Sequence, residues 1–250
     1  MRVGFIGAGN MARALARGLG EPALFTDAGS GRARQLAEEL GGEALGSNRE
    51  LAEQADLVIL AHKPVQLEMV ANEIAGAAKA VVSLLARTPQ ADVAVAYRGA
   101  PVIRAEPNLP VEVRKGVTSI AEPEGELDDA LWTAVQELFA KVGAVVVLPE
   151  RLMTVAGGCS GVGPAYWALL VEAQVDAAVR RGMPAAQATE LVAGTMRGTA
   201  ELLHTRGADT FALRREVTSP GGTTSRGLAA LERGGVRAAF HAALDAVVDG

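Results

Sequence analysis

Over residues 1–148, short runs of aliphatic and β-branched residues alternate with Ala/Leu/Glu/Arg segments of helical period. That alternation predicts a mostly parallel sheet flanked by helices. The expected strands are Val3 to Ile6, Ala23 to Thr26, Leu57 to Ala61, Ala80 to Leu84, Val102 to Ala105, Val117 to Ala121 and Ala144 to Leu148. Ser47-Asn48-Arg49-Glu50 has capping-box spacing, and Thr88-Pro89 offers an N-cap with proline at the first helical position. After Pro149 the β-type runs stop, so residues 149–250 read as all helical. Gly182-Met183-Pro184 separates a helix over Ala165 to Arg181 from one over Ala185 to His204. The stretch Ala165-Tyr166-Trp167-Ala168-Leu169-Leu170-Val171 is apolar around more than one face, and a thin helical layer cannot bury it all. A second subunit is therefore expected to cover it, with burial against the first domain as the alternative.

The strand at Val3 to Ile6 runs into Gly7-Ala8-Gly9-Asn10-Met11-Ala12, a G-x-G-x-x-A turn that opens a helix through Leu15 and Leu19. Gly7 permits the tight turn, Gly9 lets a pyrophosphate approach the backbone, and Ala12 allows close packing of helix on strand. The uncapped helix start then faces the phosphates, with Asn10 and Met11 in its first turn. These residues make the chain an α/β protein: an N-terminal Rossmann-like domain over 1–148, followed by a helical dimerisation and substrate domain over 149–250. The expected cofactor is NADPH or NADH. Near the ribose, Asp27 would suit the 2′-hydroxyl of NADH, whereas Ser30 and Arg32 would suit the 2′-phosphate of NADPH, and the choice stays open. Ala61-His62-Lys63-Pro64 ends another strand at the carboxyl edge, where ligands of open sheets bind. There Ala61, Lys63 and Pro64 are candidate cofactor contacts, and His62 reads as structural.

In the helical half, Val217-Thr218-Ser219-Pro220-Gly221-Gly222-Thr223-Thr224-Ser225 leads into an apolar-periodic helix. Glycines and hydroxyls gathered at a helix start form an anion site suited to a carboxylate, beyond the single Ser or Thr that capping needs. A second glycine-rich stretch, Gly157 to Gly163, reads as a packing element, with Cys159 within it a buried, inert thiol.

With 49% apolar residues in 250, the chain has material for a large core and needs no staples. Its single cysteine forms no intrachain disulfide, and no Cys/His cluster has metal-ligand spacing, so no metal and a reducing, cytoplasmic setting are expected. The first residues read as a strand rather than a leader, and no apolar run reaches membrane-spanning length. A net charge of −5 with scattered cations argues against a nucleic-acid partner.

Gly7-Ala8-Gly9-Asn10-Met11-Ala12, Lys63-Pro64, Ser160-Gly161-Val162-Gly163-Pro164-Ala165-Tyr166 and Val217-Thr218-Ser219-Pro220-Gly221-Gly222-Thr223-Thr224 together resemble the signatures of pyrroline-5-carboxylate reductases, in order and across essentially the whole chain. The resemblance implies NAD(P)H-dependent reduction of 1-pyrroline-5-carboxylate to L-proline, the last step of proline synthesis, by subunits paired through their helical domains. It further implies that Ser219, Gly221, Gly222, Thr223 and Thr224 bind the substrate carboxylate, that Thr224 presents its hydroxyl to the ring nitrogen, and that Asn108 and Pro110 lie by the nicotinamide. The family usually has Met and Thr at the positions of Glu106 and Leu109, Ser at Val162, and a small apolar residue at His62. Two other readings remain: a related imine or 2-keto acid reductase, and a non-catalytic dinucleotide-binding paralogue. Keto-acid reduction would call for a firm proton donor such as lysine, and residues 149–250 contain none.

Overall fold

In the computed structural model, which describes residues 1–250, two compact units divide at Pro164/Ala165. The first alternates strand and helix: β1 (Val3–Ile6), α1 (Asn10–Leu19), β2 (Leu24–Thr26), α2 (Arg32–Leu40), β3 (Glu43–Ala44), α3 (Asn48–Gln54), β4 (Leu57–Leu60), α4 (Leu67–Ile74), β5 (Val81–Ser83) and α5 (Gln90–Ala96). It continues through β6 (Val102–Pro107), β7 (Gly116–Ala121), α6 (Asp129–Ala140), β8 (Gly143–Leu148) and the short α7 (Met153–Ala156), followed by a π-helical turn over Gly157–Gly161. The sheet order is β3-β2-β1-β4-β5-β6-β7-β8. Every neighbouring pair is parallel except β6 with β7. The strand order reverses between β1 and β4, which opens a crevice at their carboxyl ends.

Alternation along each strand feeds two cores. Phe5, Leu57 and Ile59 face α1, α2 and α6, whereas Ile6, Val58 and Leu60 face α3, α4 and α5. All four residues of β4 are fully buried, each contributing roughly 1.5–3 kcal/mol of transfer free energy. A strand buried on both faces has to be apolar throughout, and Leu57-Val58-Ile59-Leu60 is.

Two local expectations are corrected, and one strand lies outside those expected. The two-residue strand β3 carries no hydrophobic signal, because Glu43 and Ala44 are both exposed at the sheet edge. Thr88 does not cap α5: Pro89 holds the capping position, and the Thr88 hydroxyl donates instead to the Ala86 carbonyl. Cys159 is exposed rather than buried, because the π-helical turn carries it outward. Ser47 does cap α3, its hydroxyl accepting from the Glu50 N–H at 3.1 Å.

The second unit contains most of α8 (Gly163–Val179), then α9 (Ala185–Thr205), α10 (Thr210–Glu216), α11 (Thr223–Arg233) and α12 (Val236–Val248). The turn at Gly182 separates α8 from α9, with Pro184 in the capping position. Tyr166 and Trp167 pack against Phe240 with ring centroids 6.5 and 6.1 Å apart. Ala188 is the only buried hydrophobic residue of this unit, while Trp167, Leu169, Leu191 and Phe211 are all more than half exposed.

Candidate active site

The end of β1 is built for a close approach. Gly7 has φ +101°, and its N–H donates to the Thr26 carbonyl at 3.0 Å. A Cβ on Gly7 would lie 2.6 Å from the carbonyl oxygen of Ala61, so only glycine fits. Gly9 then begins α1 with no side chain capping it, leaving the first-turn N–H groups free for an anion. Ala12 is fully buried, which lets α1 lie close on the sheet. A cavity of about 550 Å³ opens at this point, within the range of small-molecule sites. Gly7, Ala8, Gly9, Asp27, Arg32, Ala61 and Lys63 all line it. Asn10, Met11, Pro64 and Asn108 do not: Asn10 is exposed at the start of α1, Met11 packs against the core, and Pro64 opens an exposed 3-10 turn.

The Asp27 carboxylate is occupied within its own loop. One oxygen accepts from the N–H groups of Gly29 and Ser30, and the other from the Ser30 hydroxyl and the Ala33 N–H in the first turn of α2. Burial pushes its pKa up, but the combined hydrogen bonds from Ala33, Ser30, Gly29 and Arg32 outweigh burial and hold it below the usual aspartate value. Arg32, by contrast, is an exposed cation on the cavity wall.

Several lining residues escaped the sequence reading. The Thr26 hydroxyl donates to Asn48 Oδ1 at 2.6 Å, and Asn48 Nδ2 donates to Glu73 at 2.5 Å. Asn48 carried a capping signal only, and Met69 and Glu73 on α4 carried none. His62 also lines the cavity; its Nδ1 lies 2.9 Å from the Lys63 carbonyl oxygen, so Nδ1 carries the proton. Burial pushes the imidazole pKa down against the opposing pull of that carbonyl and of Glu73. The ring is therefore neutral near pH 7, and its buried Nε2 has no partner.

Asn108 is a strut. Its Oδ1 accepts from the Val117 N–H at 2.8 Å, while Nδ2 donates to the carbonyl and hydroxyl oxygens of Ser160 at 3.3 and 3.2 Å. The 3-10 segment that follows, Leu109–Val113, is clamped to α1: a Cβ on Gly18 would lie 2.0 Å from the Val111 carbonyl, and Arg114 donates to the Gly18 carbonyl at 2.7 Å.

In the helical unit, Gly222 occupies the N-cap of α11 with no side-chain cap, and Thr223 and Thr224 form the exposed first turn. The turn before it is preorganised: the Gly222 N–H donates to the Ser219 carbonyl at 3.1 Å, Gly221 has φ +69°, and Arg226 donates to the Gly221 carbonyl at 2.7 Å. Ser219 Oγ would lie 2.3 Å from a Cβ on Gly222, so a side chain there would displace the Ser219 hydroxyl. Free N–H groups, two threonine hydroxyls and a nearby guanidinium suit a carboxylate.

The first unit is thus a doubly wound dinucleotide-binding domain with its cleft at the strand-order reversal. Residues 2–87 match the family described as NADP oxidoreductase coenzyme F420-dependent, and residues 150–250 match pyrroline-5-carboxylate reductase dimerisation. The chain is 36% identical to a pyrroline-5-carboxylate reductase of Synechocystis, over 98% of this chain and 95% of that one. The structure superposes on a pyrroline-5-carboxylate reductase from Coxiella burnetii with TM-score 0.89 at 32% identity, covering 99% of this chain and 96% of that one. A Plasmodium falciparum pyrroline carboxylate reductase with NADP bound gives TM-score 0.88 at 25% identity, covering 100% and 96%. The chain belongs to the pyrroline-5-carboxylate reductase family.

Proposed function

We propose that this protein reduces 1-pyrroline-5-carboxylate to L-proline with NADPH as the preferred donor. The observation that carries the reading is the pairing of two preorganised anion sites in one chain of this family: the glycine cradle at Gly7 to Gly9 and the uncapped turn at Ser219 to Thr224. The cradle fits a dinucleotide, since the space a Cβ of Gly7 would fill is backbone contact and the cavity beyond Gly9 is open. When bound, the reduced nicotinamide supplies the hydride. Gly7, Ala8 and Gly9, with the N–H groups of Asn10 and Met11, would hold the pyrophosphate, while Ala61 and Lys63 line the same cavity and would meet the rest of the cofactor, with Pro64 following them in the adjoining turn. Asn108 fixes the adjoining loop, its side-chain amide being engaged with the Val117 N–H and with Ser160.

NADPH is favoured because the Asp27 carboxylate already accepts four hydrogen bonds. It organises the loop that carries Ser30 and Arg32, and the arginine on the cavity wall would meet the 2′-phosphate. At the second site, Ser219, Gly221, Gly222 and Thr223 bind the substrate carboxylate, while Thr224 directs its hydroxyl to the ring nitrogen. A protonated C=N bond is already electrophilic, so carbon accepts hydride while nitrogen keeps its proton, and orientation rather than a strong acid supplies the catalysis. That is consistent with a neutral His62 and an absent lysine in the helical half.

The functional division falls at 148/149, with residues 149–250 pairing two copies through the exposed apolar helices. Assembly as a homo-oligomer in the cytoplasm follows from this reading; no helix is long and apolar enough to cross a membrane. The test is a substrate panel with purified protein. Oxidation of NADPH that depends on pyrroline-5-carboxylate, faster than with NADH and absent with 2-keto acids, supports the reading. Cofactor binding without imine-dependent oxidation would instead indicate a non-catalytic paralogue.

A further inference from the structure

One face of β6 continues as a polar ladder past the strand end. Arg104, Glu106 and Asn108 alternate with the buried Ile103, Ala105 and Pro107, so all three share a face. Each rung meets the segment that follows β8. Arg104 pairs with Glu150, Glu106 lies against Gly157, and Asn108 binds Ser160. The Arg104 side chain is only 4% exposed and also pairs with Glu106. Gln90 braces the lower rung, accepting from the Arg104 N–H at 2.8 Å and donating its own backbone N–H to Glu150 at 3.2 Å. One cation therefore serves two carboxylates. Glu150 already neutralises Arg104, so the second carboxylate needs another explanation.

Its free oxygen supplies one. Glu106 Oε2 would lie 2.9 Å from a Cβ on Gly157, the first residue of the π-helical turn, and Arg104 keeps that carboxylate from swinging away. A glycine at 157 and a carboxylate at 106 fit one another, three residues before the Ser160 that holds Asn108.

We propose that Glu106 is a positioning residue: clamped by Arg104, it seats the Gly157–Gly161 turn, and through Ser160 and Asn108 it fixes the loop beside the nicotinamide. Its catalytic consequence rests on the function proposed above, whereas its effect on the turn does not. A π-helical turn is rare, appears mostly as a single turn within helical segments, and is frequent at functional sites. Methionine at 106 would fill the space without the ionic anchor.

Glu106→Met and Glu106→Gln test this, read by hydrogen exchange, NADPH titration and steady-state kinetics. In Glu106→Met the amides of 158–162 are expected to exchange at least tenfold faster than in the unaltered protein, while those of β4 and β6 keep their protection. The same variant should lose about tenfold in kcat with NADPH affinity unchanged, and Glu106→Gln, which can still hydrogen-bond Arg104, should recover most of both. Unchanged exchange at 158–162, or acceleration spread evenly over the whole sheet unit, would overturn the proposal. So would an unaltered kcat in Glu106→Met alongside an active parent protein. If the parent itself fails to reduce the imine, the functional reading falls, and the exchange data alone decide whether Glu106 seats the turn.

Discussion

The two units handle their apolar residues in opposite ways. In the sheet unit every strand from β1 to β5 except the edge strand β3 is buried along its whole length, and two continuous cores form. In the helical unit a single alanine is buried among the hydrophobic residues, and the large side chains of α8 stand in the open. A helix with apolar residues all round requires cover on all sides, which one layer of helices does not provide. The first unit buries its own core, whereas the second, which matches the dimerisation family model, leaves its large apolar side chains open in the single chain.

The sharpest way to break this contrast is charge. Replacing Trp167 and Leu169 together, as Trp167→Glu/Leu169→Glu, should weaken self-association at least a hundredfold, since an unpaired buried charge costs about 3 kcal/mol or more. Sedimentation velocity would show subunits separating while cofactor titration stays nearly normal. A stable assembly in that variant would mean that α8 is not the face that pairs.

In the sheet unit the corresponding weak point is Gly7. Gly7→Ala must place a Cβ against the Ala61 carbonyl at φ +101°. A cost of about 1–3 kcal/mol should appear as a lowered Tm together with NADPH binding weakened roughly tenfold or more. Loss of binding without any change in association state would sharpen the division of labour.

These two sites also show what a sequence can carry. Gly7, Gly9 and Ala12 were legible because each absent side chain answers a local backbone demand. The apolar surplus of residues 165–171 was legible because it violates the helical period. Asn48, Met69 and Glu73 were not, since the walls they form depend on how α3 and α4 pack over the sheet. The contact of Gly18 with Val111 joins positions far apart in sequence and leaves no local pattern. Asp27 was visible as an acid at the end of β2, but its direction is set by four donors in its own loop. The expectation of a buried Cys159 rests on free thiols being usually buried, and a π-helical turn has no signature from which to read its outward face.

Arg32→Ala gives a smaller effect within the cofactor unit. Loss of one charge-assisted contact should raise the NADPH Kd about tenfold and leave NADH binding nearly unchanged, as measured by fluorescence titration. Equal losses for both nucleotides would remove Arg32 from the 2′-phosphate.

The smallest expected effect is on pH dependence. Because the folded pKa of His62 is depressed, the unfolded chain binds its proton first as pH falls below the ordinary histidine value of about 6.5. The stability associated with the neutral ring is present above that value and is lost as pH drops through the folded pKa. His62→Val should flatten this part of the acid limb in denaturant titrations, and an unchanged slope would mean the ring is not held neutral.

The most direct measurement compares the unaltered protein with Thr224→Ala in pyrroline-5-carboxylate turnover and in NADPH binding. If the Thr224 hydroxyl meets the reacting ring as proposed, its removal should lower kcat/KM by about ten- to a hundredfold, with NADPH affinity unchanged and the assembly intact. Full activity in Thr224→Ala, or an equal loss of cofactor binding, would contradict the assignment of cofactor to the sheet unit and substrate to the turn before α11.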